Sequence, residues 1–258
     1  MPRDWCTMRQ IKCIGNTAQV LAIFSNFSEL IFRGEAIISI CPMPINLPQK
    51  SPLDFISNME NAIQYLSEKD SIFNLIIEKY GLPTIPKRPQ GFETLVLLIL
   101  EQQVSIDSAK ATFLKLKAKQ PDFKPESLFS FSDEGFRNIG VSRQKTSYIK
   151  ALSHSIINND IDLESLATKS AEQVREELIK IKGIGNWTID IYLMFSLQAP
   201  DIIPLGDIAV INTIKELLDI HDKQEMENYV SKWSPHKSSA TFLLWHYYLS
   251  KRKRKVTY

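Results

Sequence analysis

Two glycines separated by one residue, Gly183 and Gly185, stand between two runs of helical periodicity, and this pattern most restricts what the chain can fold into. Upstream, Val174, Leu178 and Ile181 fall on one helical face; downstream, Ile189 to Leu197 is an apolar helix. Glycine at both positions permits left-handed backbone angles and removes side chains that would block close approach. The second helix then starts with free backbone N–H groups at the positive end of its dipole, an arrangement suited to a phosphate oxygen. Gly183, Ile184 and Gly185 offer that backbone, and Lys182 adds a point charge. Such a contact fixes register without reading a base. A plain tight turn between helices fits the same residues, so locally the two readings stand level.

The rest of the chain is consistent with helices around this turn. Phe92 to Glu101 is too apolar for a surface helix and is expected to be central. Ser105 is placed to cap the next helix, with Ala109, Phe113 and Leu116 at helical spacing. Arg143 to Ile157, Ile208 to Leu218 and Ser238 to Leu249 follow the same period, and Ser170 with Gln173 has the spacing of a capping box. The first 58 residues differ. Val20 to Ile40 contains β-leaning fragments, and Pro42, Pro44, Pro48 and Pro52 interrupt both helix and ladder. The expected organisation is therefore an irregular or β-containing accessory extension (1–58), an all-α domain (59–250) opening at Met59, and a basic tail (251–258).

Composition narrows the function class. At 44% apolar and 23% charged, the 258 residues have enough material for a core, and the formal net charge of +2 is too mild to announce a nucleic-acid partner. The three cysteines, Cys6, Cys13 and Cys41, form no CxxC pair. This excludes a disulfide framework and an iron–sulfur cluster in the body of the protein and favours a reducing, intracellular compartment. Val20 to Ile40 is broken by Asn26, Glu29, Arg33 and Glu35, so neither a membrane span nor a signal peptide is expected.

One helix beyond the hairpin comes Pro204-Leu205-Gly206-Asp207. A glycine-spaced hairpin, a helix and a Pro-x-x-Asp element together resemble the helix-hairpin-helix DNA glycosylase superfamily, and within it the 3-methyladenine DNA glycosylase II branch. The resemblance runs from about Pro89 to about Leu249. It implies two helical subdomains with a cleft between them and places the catalytic aspartate at Asp207. Trp187 stands where bifunctional relatives carry a Schiff-base lysine, which implies a monofunctional hydrolase. The segment Glu101 to Ser105 resembles the one that wedges the duplex open, with Gln103 as the wedge and Ser105 beside it on the DNA. Trp245 matches an aromatic residue of the base pocket, and His236 stands where some relatives have tryptophan. The carbonyls of Ile181 and Gly183 are the positions from which a structural cation is implied; no other cofactor is expected, and the terminal cysteines of the iron–sulfur branches are missing. The implied partner is double-stranded DNA with damaged bases, bound by a monomer, in the nucleoid or the nucleus according to the organism.

Each residue also has a plainer role. Asp207 before Ile208-Ala209-Val210 is a good helix N-cap; a cap would also fix a carboxylate for catalysis. Gln103 reads equally as a polar helix end, and Trp187 and Trp245 as core residues. Tyr192 and Phe195 are assigned to the core, and His154, His221 and His246 show no metal-ligand spacing. The basic run Lys251 to Lys255 reads as a solvated tail. Three functions remain: a monofunctional glycosylase for alkylated purines, a hairpin module that grips DNA without chemistry, and a glycosylase for another damaged base, with or without lyase activity.

Overall fold

A computed structural model describes residues 52–85 and 87–254, with side chains from Met59 onward. The three cysteines, the Val20 to Ile40 stretch and Lys255 lie outside these residues. Twelve α-helices and two short 3-10 turns make up the described part, in which there is no strand. They are α1 (Pro52–Lys69), α2 (Ser71–Tyr80), α3 (Phe92–Glu101), α4 (Ile106–Lys119), α5 (Pro125–Ser130), α6 (Asp133–Asn138), α7 (Arg143–Ile157), α8 (Ala171–Leu178), α9 (Asn186–Phe195), α10 (Ile208–Leu218), α11 (Lys223–Val230) and α12 (Lys237–Lys251).

Local chemistry accounts for most helix starts. Ser105, Ser132, Ser142, Ser170 and Asp222 each accept a backbone N–H from the first turn, and Ser170 with Gln173 closes the expected capping box. The first helix begins at Pro52 rather than near Met59. Proline is well tolerated in a first turn, where the missing N–H would have had no partner.

The apolar faces close two cores. One gathers α3 to α9, with α3 buried along almost its whole length as its patterning predicts. The other gathers α1, α2 and α10 to α12 around Trp233, which is fully buried. Asp70 fastens this second core: its carboxylate caps α2 and accepts the Trp233 indole N–H at 3.2 Å. α12 serves both cores, sending Phe242 into the first and Leu243, Leu244 and Tyr247 into the second. Trp245 packs against both. The seam between the two cores is where the cleft opens.

Candidate active site

The chain reaches the seam through Pro204, whose carbonyl accepts the Asp207 N–H at 2.9 Å and turns the backbone into α10. Asp207 is the N-cap of that helix, as its sequence position predicted. Its Oδ1 accepts the N–H groups of Ala209 at 2.9 Å and Val210 at 3.1 Å. The same oxygen accepts the Trp245 indole N–H at 3.0 Å, while Oδ2 accepts that of Trp187 at 2.9 Å. Four donors thus hold one carboxylate. Oδ2 accepts a single bond, so it is the oxygen with capacity left for a water or a developing positive charge.

Around this carboxylate lies a cleft of about 1040 Å³, lined by residues from α3, α4, α7, α9, α10 and α12. Its aromatic wall is Trp245 and Phe195, stacked at 5.7 Å between centroids and 15° between planes. The buried ion pair of Arg88 and Glu101, bidentate at 2.8 and 2.9 Å, closes the wall behind them, and the Arg88 guanidinium lies 5.3 Å from the Phe195 ring centre. Phe195 is therefore both a core residue, as assigned, and a wall of the cleft.

The hairpin lines the same cleft. Ile184 donates its N–H to the Ile181 carbonyl at 3.0 Å, and its side chain is buried. Gly183 has φ of 90°, a conformation that side chains resist, and it lies flat against the Tyr148 ring. Gly185 corrects the sequence expectation, because its φ is −103°, an angle open to any residue. What glycine provides there is open space, since a Cβ would meet no heavy atom within 4 Å. Lys182 is exposed and does not line the cleft.

The loop after α3 is fastened to the hairpin by Gln102. Its side-chain amide donates to the Gly183 carbonyl at 2.9 Å and to Thr188 Oγ1 at 3.0 Å. Gln103 then takes φ of 57° and stands exposed at the lip, with Val104 and the capping Ser105 beside it. Lys145 of α7 donates to the Leu100 carbonyl at 2.7 Å, capping α3 from the cleft side; burial pushes its ammonium below the ordinary lysine range.

Gln103, Ser105, Gly183, Ile184, Gly185, Trp187, Asp207 and Trp245 therefore meet around one cleft, whereas Lys182 and His236 do not line it. His236 instead packs edge-on against Tyr65 at 5.1 Å. Sequence reasoning missed Arg88, Gln102, Lys145 and Tyr148. The Ile181 and Gly183 carbonyls each accept one hydrogen bond already, from Ile184 and Gln102. One lone pair remains on each of these two carbonyls, which alone could make only part of a cation's oxygen shell. No group of three or more His, Cys, Asp or Glu able to hold a metal occurs among the described residues.

A helical two-core domain with a glycine hairpin and a capped aspartate facing one cleft is the arrangement that the resemblance read from the sequence implies. The family model for the HhH-GPD superfamily base excision DNA repair protein matches residues 96–236, and the chain belongs to that superfamily. Its similarity lies in the 3-methyladenine branch. The Bacillus subtilis protein named putative DNA-3-methyladenine glycosylase YfjP is 28% identical over 204 residues, 74% of this chain and 71% of that protein. DNA-3-methyladenine glycosylase 1 of Schizosaccharomyces pombe is 26% identical, covering 79% of this chain and 92% of the relative. Among solved structures, a DNA-3-methyladenine glycosidase from Bacillus halodurans aligns with a TM-score of 0.65 at 31% identity, over 74% of this chain and 91% of that one. A 3-methyladenine DNA glycosylase of Schizosaccharomyces pombe in complex with abasic DNA aligns with a TM-score of 0.66 at 25% identity, over 72% and 95%. No helix of the described residues is long and apolar enough to cross a membrane.

Proposed function

We propose that this protein is a monofunctional DNA glycosylase. It acts as a monomer on duplex DNA and hydrolyses the N-glycosidic bond of alkylated purines such as 3-methyladenine. The observation that carries this reading is the Asp207 carboxylate, held by four N–H donors beside an aromatic wall in the cleft. A module that only gripped DNA would have no use for a fixed anion where the polyanionic strand enters.

The mechanism follows from the residues. The damaged nucleotide leaves the stack at a cost of a few kcal/mol, least for a weakened pair, while Gln103 at the lip fills the gap. The base packs against Trp187 and Trp245, where electron-rich ring faces suit a cationic, alkylated base. Bond cleavage builds positive charge on the sugar, and Asp207 stabilises it through Oδ2 and orients the attacking water. One preorganised group of this kind contributes roughly 3–4 kcal/mol. A cationic base leaves as a neutral one, so no strong general acid is required. The hairpin holds the strand by its backbone, and affinity falls with salt.

The test is release of 3-methyladenine from alkylated duplex DNA by the wild type and by Asp207→Asn. Binding without release would leave a DNA-binding module in its place. A lyase reading has one observation in its favour, since Lys145 puts an amine into the cleft. Borohydride trapping on abasic DNA decides it: no covalent adduct is expected, and one lost in Lys145→Ala would overturn the monofunctional reading.

A further inference from the structure

We propose that the C-terminal end of α12 is a second contact with the DNA backbone, in which the Tyr248 ring holds Arg252 against a phosphate at the lip of the cleft. The proposal rests on the cleft being the DNA face but not on its chemistry. Trp245, Tyr248 and Leu249 all line the cleft, at the i, i+3, i+4 spacing of one helix stripe. The next residue on that stripe is Arg252, the C-cap of the helix.

Its side chain is not left free to wander. The guanidinium carbon stands 3.7 Å from the Tyr248 ring centre, and Nη1 donates to the Tyr248 carbonyl at 3.2 Å. Stacking occupies one face of the plane and leaves N–H groups on its edge, the geometry that takes a phosphate in bidentate fashion. The neighbouring charges are distributed to the same end. Lys251 is neutralised by Glu216, which also accepts the Tyr247 hydroxyl. Arg252, Lys253 and Arg254 are exposed, and among the described residues no acidic side chain pairs with them. A bare helix C-terminus repels anions through its free carbonyls, worth about half a charge; three cations more than reverse this. A basic helix end that merely sought solvent would have no reason to continue the cleft stripe.

The experiment measures binding of the full chain to an abasic-analogue duplex and to undamaged duplex across a range of salt. Each phosphate contact adds about 0.9 to the slope of log affinity against log salt. Arg252→Ala is expected to lower the slope by about one on both duplexes, and the affinity at 0.1 M salt by about eightfold. Arg252→Lys keeps the charge and is expected to restore most of the slope. Tyr248→Ala, which removes the platform, is expected to weaken binding in the same salt-dependent way. An unchanged slope in Arg252→Ala, with an unchanged melting temperature showing that it is folded, would overturn the proposal. Because binding is read rather than base release, a wild type that binds but excises nothing would end the glycosylase reading and leave this contact standing.

Discussion

The indole N–H of Trp187 donates to Asp207 Oδ2 over 2.9 Å, tying the first turn of α9 to the N-cap of α10. It is the only one of the four bonds that falls on Oδ2. Trp187→Phe keeps an aromatic ring and removes that donor. A hydrogen bond to a charged group is worth about 1.5–3 kcal/mol, so the single-turnover rate of base release is expected to fall roughly ten- to a hundredfold. An unchanged rate would show that the indole serves only as a pocket wall.

On the proposed reading Asp207 performs two tasks, which substitution separates. Asparagine still caps a helix through its oxygen but turns an NH2 group toward an indole N–H, so Asp207→Asn is expected to lose less stability than Asp207→Ala while losing on the order of 10²–10³ in rate. Asp207→Ala also loses the cap, at about 1 kcal/mol, and leaves two indole N–H groups without their acceptor. Thermal melts of the two variants beside excision rates distinguish the roles. A large stability loss in the asparagine variant would mean that its inactivity reports misfolding.

Gln102 ties the loop of Gln103 to the hairpin by two hydrogen bonds, and on the proposed reading these two elements are the wedge and the grip. Gln102→Ala removes two hydrogen bonds of about 1 kcal/mol each and frees the loop carrying Gln103. Base flipping, followed by 2-aminopurine fluorescence beside the lesion, is expected to decrease, with binding to undamaged duplex almost unaffected. Equal losses in both assays would assign Gln102 to the grip alone.

Gly183→Ala meets two obstacles, a φ of 90° and the Tyr148 ring in the space its methyl would occupy. The backbone part alone costs on the order of 1–2 kcal/mol. In a Tyr148→Ala background the steric part disappears and the backbone part stays, so the glycine substitution is expected to cost less there. Denaturant titration of the double-mutant cycle measures the difference; full additivity would remove the ring from the argument.

Tyr192 gives a pH prediction. Burial raises its phenol from 10.0 to about 12, opposed by the hydrogen bond its oxygen accepts from the Gly91 N–H. The folded state thus favours the neutral phenol more than the unfolded chain does. Its stabilising contribution is complete below pH 10 and is lost as pH rises through 12. Tyr192→Phe is expected to show a smaller fall in unfolding free energy between pH 8 and pH 11 than the wild type. Parallel curves would sink this assignment.

Much of this architecture was legible in the sequence because helix boundaries carry local signals. Phe92–Glu101, Arg143–Ile157 and Ile208–Leu218 form where periodicity placed them, and the caps at Ser105, Ser170 and Asp207 close as their spacing indicated. The hairpin and the aspartate were visible as motifs. Gln102 was not, although it adjoins Gln103. Only the left-handed turn at Gln103 decides that one glutamine points inward and the other outward, and no adjacent residue announces that turn. Arg88, Lys145 and Tyr148 were hidden for another reason. Each meets its partner across distant chain, Arg88 with Glu101, Lys145 with the Leu100 carbonyl and Tyr148 with Gly183, and a single sequence carries no pattern for such pairs.

The cleft is cut into the packing beneath it rather than laid over it: Glu101, Ile184, Thr188, Ile191 and Phe195 line it and are buried. A change among these side chains disturbs the fold together with the cleft, whereas Val104 and Ile208, exposed along it, can be exchanged at small cost to the helices. Trp245 stands at the opposite extreme from those two. Packed against both cores and bonded to Asp207, it couples the cleft to the architecture, and it is where divergence would meet the most resistance.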